Sequence, residues 1–300
     1  MKFNRWFSFV SIFTIFLLVL LGSLVYFSTT HNILYEQGQA RLQDIKSNPD
    51  AKVVFLGDSS LANGINNKLF SQLSRKKILN LWMTGGGHNL ASTYNLLRHI
   101  LKDLNSIETI VIMHTPSIYG YNFLLGGYFS TLGALDSKVP FKEGLLSYKD
   151  YLAFYFLNLN SIDEYLKMQK VQGNQENTDP WTFRNGKIKR PLHQVQTEYL
   201  KIGETKVTEL KMIDDLLIDS NITVVYIQGP LHHDVYSKYH EIISQQQALI
   251  KKTFKNIVFV ETYLYPQNEN MGNTIDHVDK RYKDTATKFY FDHLKKYIKP

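Results

Sequence analysis

No cysteine occurs among the 300 residues of the chain. Disulfides, thiolate metal sites and a cysteine nucleophile are therefore excluded, and no lipid-attachment cysteine is available. The absence also fits an oxidising compartment in which the fold needs no covalent staples. The sequence has no internal repeat and no low-complexity tract. Long runs of one charge are missing as well. The 34 Lys and Arg residues outnumber the 27 Asp and Glu for a net charge of +7, but they are scattered, with short clusters only at Arg75-Lys76-Lys77 and Lys187 to Arg190. Such scatter argues against a nucleic-acid partner. It fits a solvated basic surface, or one that faces anionic lipid headgroups or an acidic polymer.

Charge is absent altogether from Trp6 to Phe27. At about 1.5 Å per helical residue this run spans about 30 Å, the thickness of a bilayer core. Lys2 and Arg5 precede it, and the next positive residue is Arg41. The positive-inside bias then makes residues 1–5 a cytoplasmic tail, residues 6–27 a transmembrane anchor, and the remainder extracytoplasmic, a single pass in the cell membrane. A cleaved signal peptide is the alternative, but its apolar core is normally shorter and no Ala-x-Ala site follows. The roughly 250 residues that remain suffice for one large domain with a substantial core.

Residues 28–50 read as a polar stalk, helical from His31 to Lys46 and broken at Asn48-Pro49-Asp50. Five apolar runs then have strand character: Ala51 to Leu56, Ile78 to Trp82, Glu108 to Met113, Ile222 to Ile227 and Ile257 to Val260. Helical periodicity alternates with them over Asn66 to Leu73, Leu90 to Leu104, Glu204 to Ser220, Tyr236 to Phe254 and Thr285 to Tyr297. This rhythm predicts an α/β fold, a three-layer sandwich of flavodoxin type with a mainly parallel sheet. From about 119 to 199 the rhythm breaks. That stretch is read as an insertion of helices and loops, whose aromatics, Tyr121, Phe123, Tyr128, Phe129 and Trp181 among them, form either its own core or a carbohydrate groove.

The first strand ends in Gly57-Asp58-Ser59, and a helical pattern follows. A serine at the C-terminal edge of such a strand stands where open α/β sheets place their chemistry, with helix N-terminal amides aimed at it. The plainer role for Asp58 and Ser59 is to cap the helix. A serine nucleophile needs a base, usually an imidazole. His277 is the best placed, in Asn273-Thr274-Ile275-Asp276-His277-Val278-Asp279, after the last strand and before the terminal helix. Asp276 or Asp279 is available to orient its ring. His232-His233-Asp234 invites a metal reading, but adjacent histidines point apart and no third ligand has suitable spacing, so no metal and no cofactor is expected.

Together, the strand–Gly-Asp-Ser–helix, the glycine turn after the second strand and the late Asp-His resemble the SGNH hydrolase superfamily, over Ala51 to Tyr297. The text VVFLGDSSLANGINNKLF resembles its membrane-anchored branch, the relatives of alginate O-acetyltransferases and of the D-alanyl transfer protein of teichoic acid synthesis. The resemblance implies an SGNH-like domain over residues 51–300, with catalytic Ser59 and His277, Asp276 as the nearest acid, and an oxyanion hole from the backbone amides of Ser59 and Gly85. Weaker substrate contacts are expected at Asp58, His114, Ser117 and His232. Four family positions are not kept, two of them the Asn and Gly usual after the histidine, which read Asp279 and Tyr282 here. The third block reads His114-Thr115-Pro116-Ser117 without its asparagine, and Thr274 stands where an aspartate three residues before the histidine is usual. The implied activity is a serine-dependent acyltransferase or esterase that moves or removes an O-acyl group, acetyl being the expected one, on a cell-surface polysaccharide. The implied partners are that glycan, the membrane, and a polytopic acyl-export protein. The rival expectation is a non-catalytic protein of the same fold that binds glycan or serves as a scaffold in a synthesis or export complex.

Overall fold

The computed structural model describes residues 2–30, 33–83, 90–119, 135, 187–195 and 197–298. Most of the expected insertion and the Gly85 turn lie outside these residues, as do Tyr121, Phe123, Tyr128, Phe129 and Trp181. Helix α1, Lys2–Thr30, opens the chain. Its stretch Trp6–Ser23 is long and apolar enough to cross a membrane, properties that a signal sequence shares, and none of it is buried inside the protein. Phe9 is 68% exposed and Leu18 63%, so among the described residues nothing covers this apolar surface.

Five strands follow: β1 (Val53–Gly57), β2 (Ile78–Trp82), β3 (Thr109–His114), β4 (Thr223–Gln228) and β5 (Val258–Val260). All pairings are parallel, in the order β2-β1-β3-β4-β5. This is the doubly wound arrangement, and its order reverses beside β1, the position at whose C-terminal end open sheets of this kind place their ligands. β1 is buried on both faces, as its unbroken apolar run requires. Val54, Leu56, Ile110, Ile112 and Val224 pack with helices α2 (Ile33–Ser47), α5 (Leu90–Asp103) and α6 (Glu204–Asp215). Val53, Phe55, Val111, Met113 and Val225 face the other layer, made by α3 (Ser59–Gly64), α4 (Asn67–Ser74), α7 (His233–Thr253) and α8 (Lys283–Leu294).

The stalk expected over 28–50 is not free of the domain. Ile45 on α2 is 1% exposed inside the first core layer, with Leu42 packed beside it. Arg41 of the same helix lies over the Trp82 ring, 5.1 Å from its centre. The apolar positions on α2 are few, which hides its packing from a periodicity reading.

Helix α8 closes the second layer against the start of the domain. The Asn66 amide donates to Thr287 Oγ1 at 2.8 Å, Asn66 Nδ2 donates to Asp284 at 2.8 Å, and the Tyr290 hydroxyl donates to the Gln228 carbonyl at 3.3 Å. These contacts bring the segment before α8 to the C-terminal end of β1, although more than 200 residues separate them in sequence.

Candidate active site

Ser59 is the first residue of α3, directly beyond β1. The turn into it is fixed by two features. Gly57 pairs with Trp82 on one side and Met113 on the other, and a Cβ there would collide with the Met113 carbonyl oxygen, so only glycine fits. Asp58, 5% exposed, caps α3 by accepting from the Ser60 amide at 2.8 Å and from the Ser60 hydroxyl. Its other oxygen accepts from the Thr115 amide at 2.9 Å and the Thr115 hydroxyl at 3.0 Å. The Asp58 carboxylate thus locks the β1–α3 turn to the end of β3, and with four donors it has no lone pair left for a substrate. The substrate contact expected at Asp58 is replaced by this internal role. Asp58→Asn puts an amide donor against those donors. A loss of about 2–3 kcal/mol of folding stability is expected, read as a lower urea midpoint at unchanged slope.

His277 meets Ser59. Its Nε2 lies 2.8 Å from Ser59 Oγ, within reach for proton transfer, and both residues are half-buried. The other ring nitrogen, Nδ1, lies 3.1 Å from Asn273 Oδ1. A carbonyl oxygen only accepts, so this contact puts the proton on Nδ1 and leaves the Nε2 lone pair for the serine hydroxyl. Asp276 is elsewhere. Its carboxylate is 3.8 Å from Nε2, on the serine side of the ring, and accepts from the Thr274 hydroxyl at 2.6 Å. The group at Nδ1, where an orienting acid is expected, is therefore Asn273 and not Asp276.

The loop explains this. Met271 and Val278 form an antiparallel bridge, and the Gly272 amide donates to the His277 carbonyl at 2.7 Å. The chain doubles back between them, so side chains four apart converge while neighbours splay. The loop is held from outside as well: the Ile188 amide donates to the Gly272 carbonyl at 2.8 Å, and the His232 amide to the Ile275 carbonyl at 2.7 Å.

The remaining sequence-derived residues are not brought to the pair as substrate contacts. His114 is 1% exposed, inside the sheet layer, with Thr93 Oγ1 at 3.1 Å from Nε2 and the Tyr119 hydroxyl at 3.3 Å from Nδ1. It is a satisfied core histidine. His232 is fully buried; Nδ1 accepts from the Asp234 amide at 3.0 Å to cap α7, and Nε2 is 2.7 Å from Asn268 Oδ1. Its contribution is to anchor the loop that carries His277. Ser117 is half-buried and spends its hydroxyl on Thr115 Oγ1 at 3.1 Å. Gly85 lies outside the described residues. Among the described residues, no group of three or more His, Cys, Asp or Glu is arranged to hold a metal ion.

The loop after β4 also presses on the turn. A Cβ on Gly229 would come within 2.5 Å of Ser60 Oγ, the hydroxyl that donates to Asp58. Gly229 is therefore needed for close approach of this backbone to the site.

No protein-family model matches the chain, and no curated protein does. Similarity is found among solved structures. One is a Streptococcus pneumonia protein provisionally described as a platelet activating factor, with 10% identity over 89% of this chain and 94% of that one, at a TM-score of 0.46. Another is a Desulfitobacterium hafniense DCB-2 protein provisionally described as lipolytic, of the G-D-S-L family, with 11% identity over 81% of this chain and 99% of that one, at a TM-score of 0.39. With such values, a functional reading has to stand on this chain's own residues.

Proposed function

We propose that the chain is a serine-dependent acyltransferase or esterase of SGNH type. The observation that carries this reading is the 2.8 Å contact between Ser59 Oγ and His277 Nε2, at the C-terminal end of a central parallel strand, with the ring held in the base-competent tautomer by Asn273. A merely capping serine needs no oriented imidazole, and this contact is what favours catalysis over the scaffold reading.

In the proposed mechanism, Ser59 Oγ attacks an ester carbonyl while His277 Nε2 takes the hydroxyl proton. The Nδ1 proton stays on the ring, bonded to Asn273. The Asp276 carboxylate, 3.8 Å from Nε2, stabilises the imidazolium that forms. His277 then gives its proton to the departing alcohol oxygen, which leaves Ser59 acylated. In the second half, the neutral ring takes a proton from the acceptor, water or a sugar hydroxyl, as that oxygen attacks the acyl-enzyme; return of the proton to Ser59 Oγ restores the start. The Ser59 amide, in the first turn of α3, is the proposed donor to the oxyanion, with the Gly85 amide as the second.

The finer reading places the domain outside the cytoplasmic membrane on α1, with a cell-surface polysaccharide as acceptor or substrate, an acetyl group as cargo, and a polytopic acyl exporter as partner. Its support is the apolar helix with Lys2 and Arg5 before it, and the sequence resemblance. The purified full-length chain, given an acetyl ester with and without a surface polysaccharide, tests it. Acetate release alone marks an esterase, and acetylated polymer marks a transferase. Neither product from either mixture, with the chain folded, rejects the enzymatic reading.

A further inference from the structure

The position of α2 fixes how the site sits relative to the end of α1. The turn Asn48–Ala51, in which the Ala51 amide donates to the Asn48 carbonyl at 3.1 Å, joins the C-terminal end of α2 to the start of β1. Six residues back along the helix, Arg41 lies over Trp82, the last residue of β2. Helix α2 therefore runs antiparallel to the strands, from the C-terminal edge of the sheet down to the N-terminal edge. Its first residue, Ile33, lies about 12 Å beyond Arg41 at 1.5 Å per residue, past the strand ends. Three peptide steps of at most about 3.6 Å each connect Ile33 to Thr30, the end of α1. The chain thus enters the domain at the sheet edge that carries Ser59 and His277. A membrane crossed by α1 lies on that side.

A second observation concerns charge at the same edge. The Ile188 amide is bonded to Gly272 in the His277 loop, and Lys187, Lys189 and Arg190 beside it are exposed. Lys280 and Arg281 are exposed just beyond His277, although Arg281 is engaged by Asp279 at 2.8 Å. Acidic residues are present too: Asp234, Glu269 and Asp284 are exposed, while Asp276 is 18% exposed. The cationic cluster of Lys187, Lys189 and Arg190 has the sign that anionic headgroups attract.

We propose that the sheet edge bearing Ser59 and His277 faces the bilayer, with Lys187, Lys189 and Arg190 against anionic lipid headgroups. The substrate class of the site is then an acyl ester presented at the membrane surface. The orientation rests on α1 spanning the membrane, and the substrate class also on the Ser59–His277 reading.

The lack of cysteine permits a direct test that needs no activity. Single-cysteine variants Glu269→Cys, at the active-site edge, and Asn105→Cys, exposed in the turn before β3 at the opposite edge, each carry one fluorophore on the full-length chain. The chain is placed in bilayers of phosphatidylcholine and phosphatidylglycerol that hold a headgroup-linked acceptor. The two edges differ by at least a strand length, roughly 16–20 Å, so energy transfer from Glu269→Cys is expected to exceed that from Asn105→Cys about twofold or more. Equal transfer, or the reverse order, overturns the orientation. Asp234→Cys, 51% exposed at the side chain in the first turn of α7, is a second reporter on the active-site edge should the first variant fold poorly. Replacing phosphatidylglycerol with phosphatidylcholine is expected to lower transfer from the Glu269 position, and the triple variant K187Q/K189Q/R190Q to abolish that dependence. Transfer from the parent that is indifferent to lipid charge removes the headgroup role and assigns the cations to another partner, such as an acidic glycan. Because the readout is distance, a failed orientation is distinguishable from a failed Ser59–His277 site.

Discussion

Ser59→Ala is expected to lower turnover of a model acetyl ester by about 10⁴- to 10⁶-fold, the usual cost of removing a covalent nucleophile. Folding stability should change little. The Ser59 side chain is half-buried, its hydroxyl faces His277, and the turn is held by Asp58 and Gly57 rather than by Ser59 itself. Steady-state kinetics on the purified variant, with a thermal melt alongside, make the measurement. Activity within about tenfold of the parent would exclude a covalent role for Ser59, because no residual mechanism retains that much of a nucleophile's contribution.

The second large effect is graded across the His277 loop. His277→Ala is expected to approach the loss of Ser59→Ala, since the two act as one unit and such losses do not add. The double variant should then be no worse than either single one. Asn273→Ala frees the ring to rotate or to take the other tautomer, and a loss of about 10²-fold is expected for a base displaced by a fraction of an ångström to an ångström. Asn273→Asp should recover most of that loss, because a carboxylate oxygen also accepts from Nδ1. A purely structural asparagine would not be rescued in this way. Asp276→Asn removes a charge that is 18% exposed and 3.8 Å from Nε2. A smaller loss than that of Asn273→Ala is expected, because the Asp276 carboxylate is held by the Thr274 hydroxyl at 2.6 Å and lies on the serine side of the ring rather than at Nδ1. Kinetics on the four single variants of the loop, with the double variant alongside, decide the order. Should Asp276→Asn be the more damaging, the assignment of Asn273 as the orienting group is wrong.

Much of this architecture is legible in the sequence because the central strands β1 and β3 are buried on both faces and read as continuous apolar runs. Val53 to Gly57 ends where the Gly-Asp-Ser turn says it should, and Ile78 to Trp82 is unchanged between sequence and structure. The site is legible only where local chemistry names it. Ser59 follows from the strand-to-helix turn, and His277 from its position before the last helix. Asn273 gives no local signal. It reaches the ring because the Met271–Val278 bridge and the Gly272–His277 bond fold the loop back on itself, in a position held by backbone bonds from Ile188 and His232, distant in sequence. The same long-range constraints explain why Asp276, adjacent to the histidine, lies on the serine side of the ring. His114 and His232 look available in sequence, yet both are consumed by internal hydrogen bonds, one in the core and one at a helix cap. Helix α2 reads as a polar stalk in sequence, since its packing rests on Ile45, Leu42 and the Arg41–Trp82 contact rather than on an apolar stripe.

The central claim is that Ser59 is a nucleophile activated by His277. A fluorophosphonate bonds covalently to a serine only when a base draws off its proton and the phosphoryl oxygen is stabilised. The full-length chain is treated with such a probe and the adduct is mapped by peptide mass spectrometry. One stoichiometric adduct is expected, on Ser59, and it is lost in His277→Ala while the variant remains folded. Absence of an adduct on Ser59 in the folded parent, or labelling of Ser59 that persists unchanged without His277, would contradict this claim.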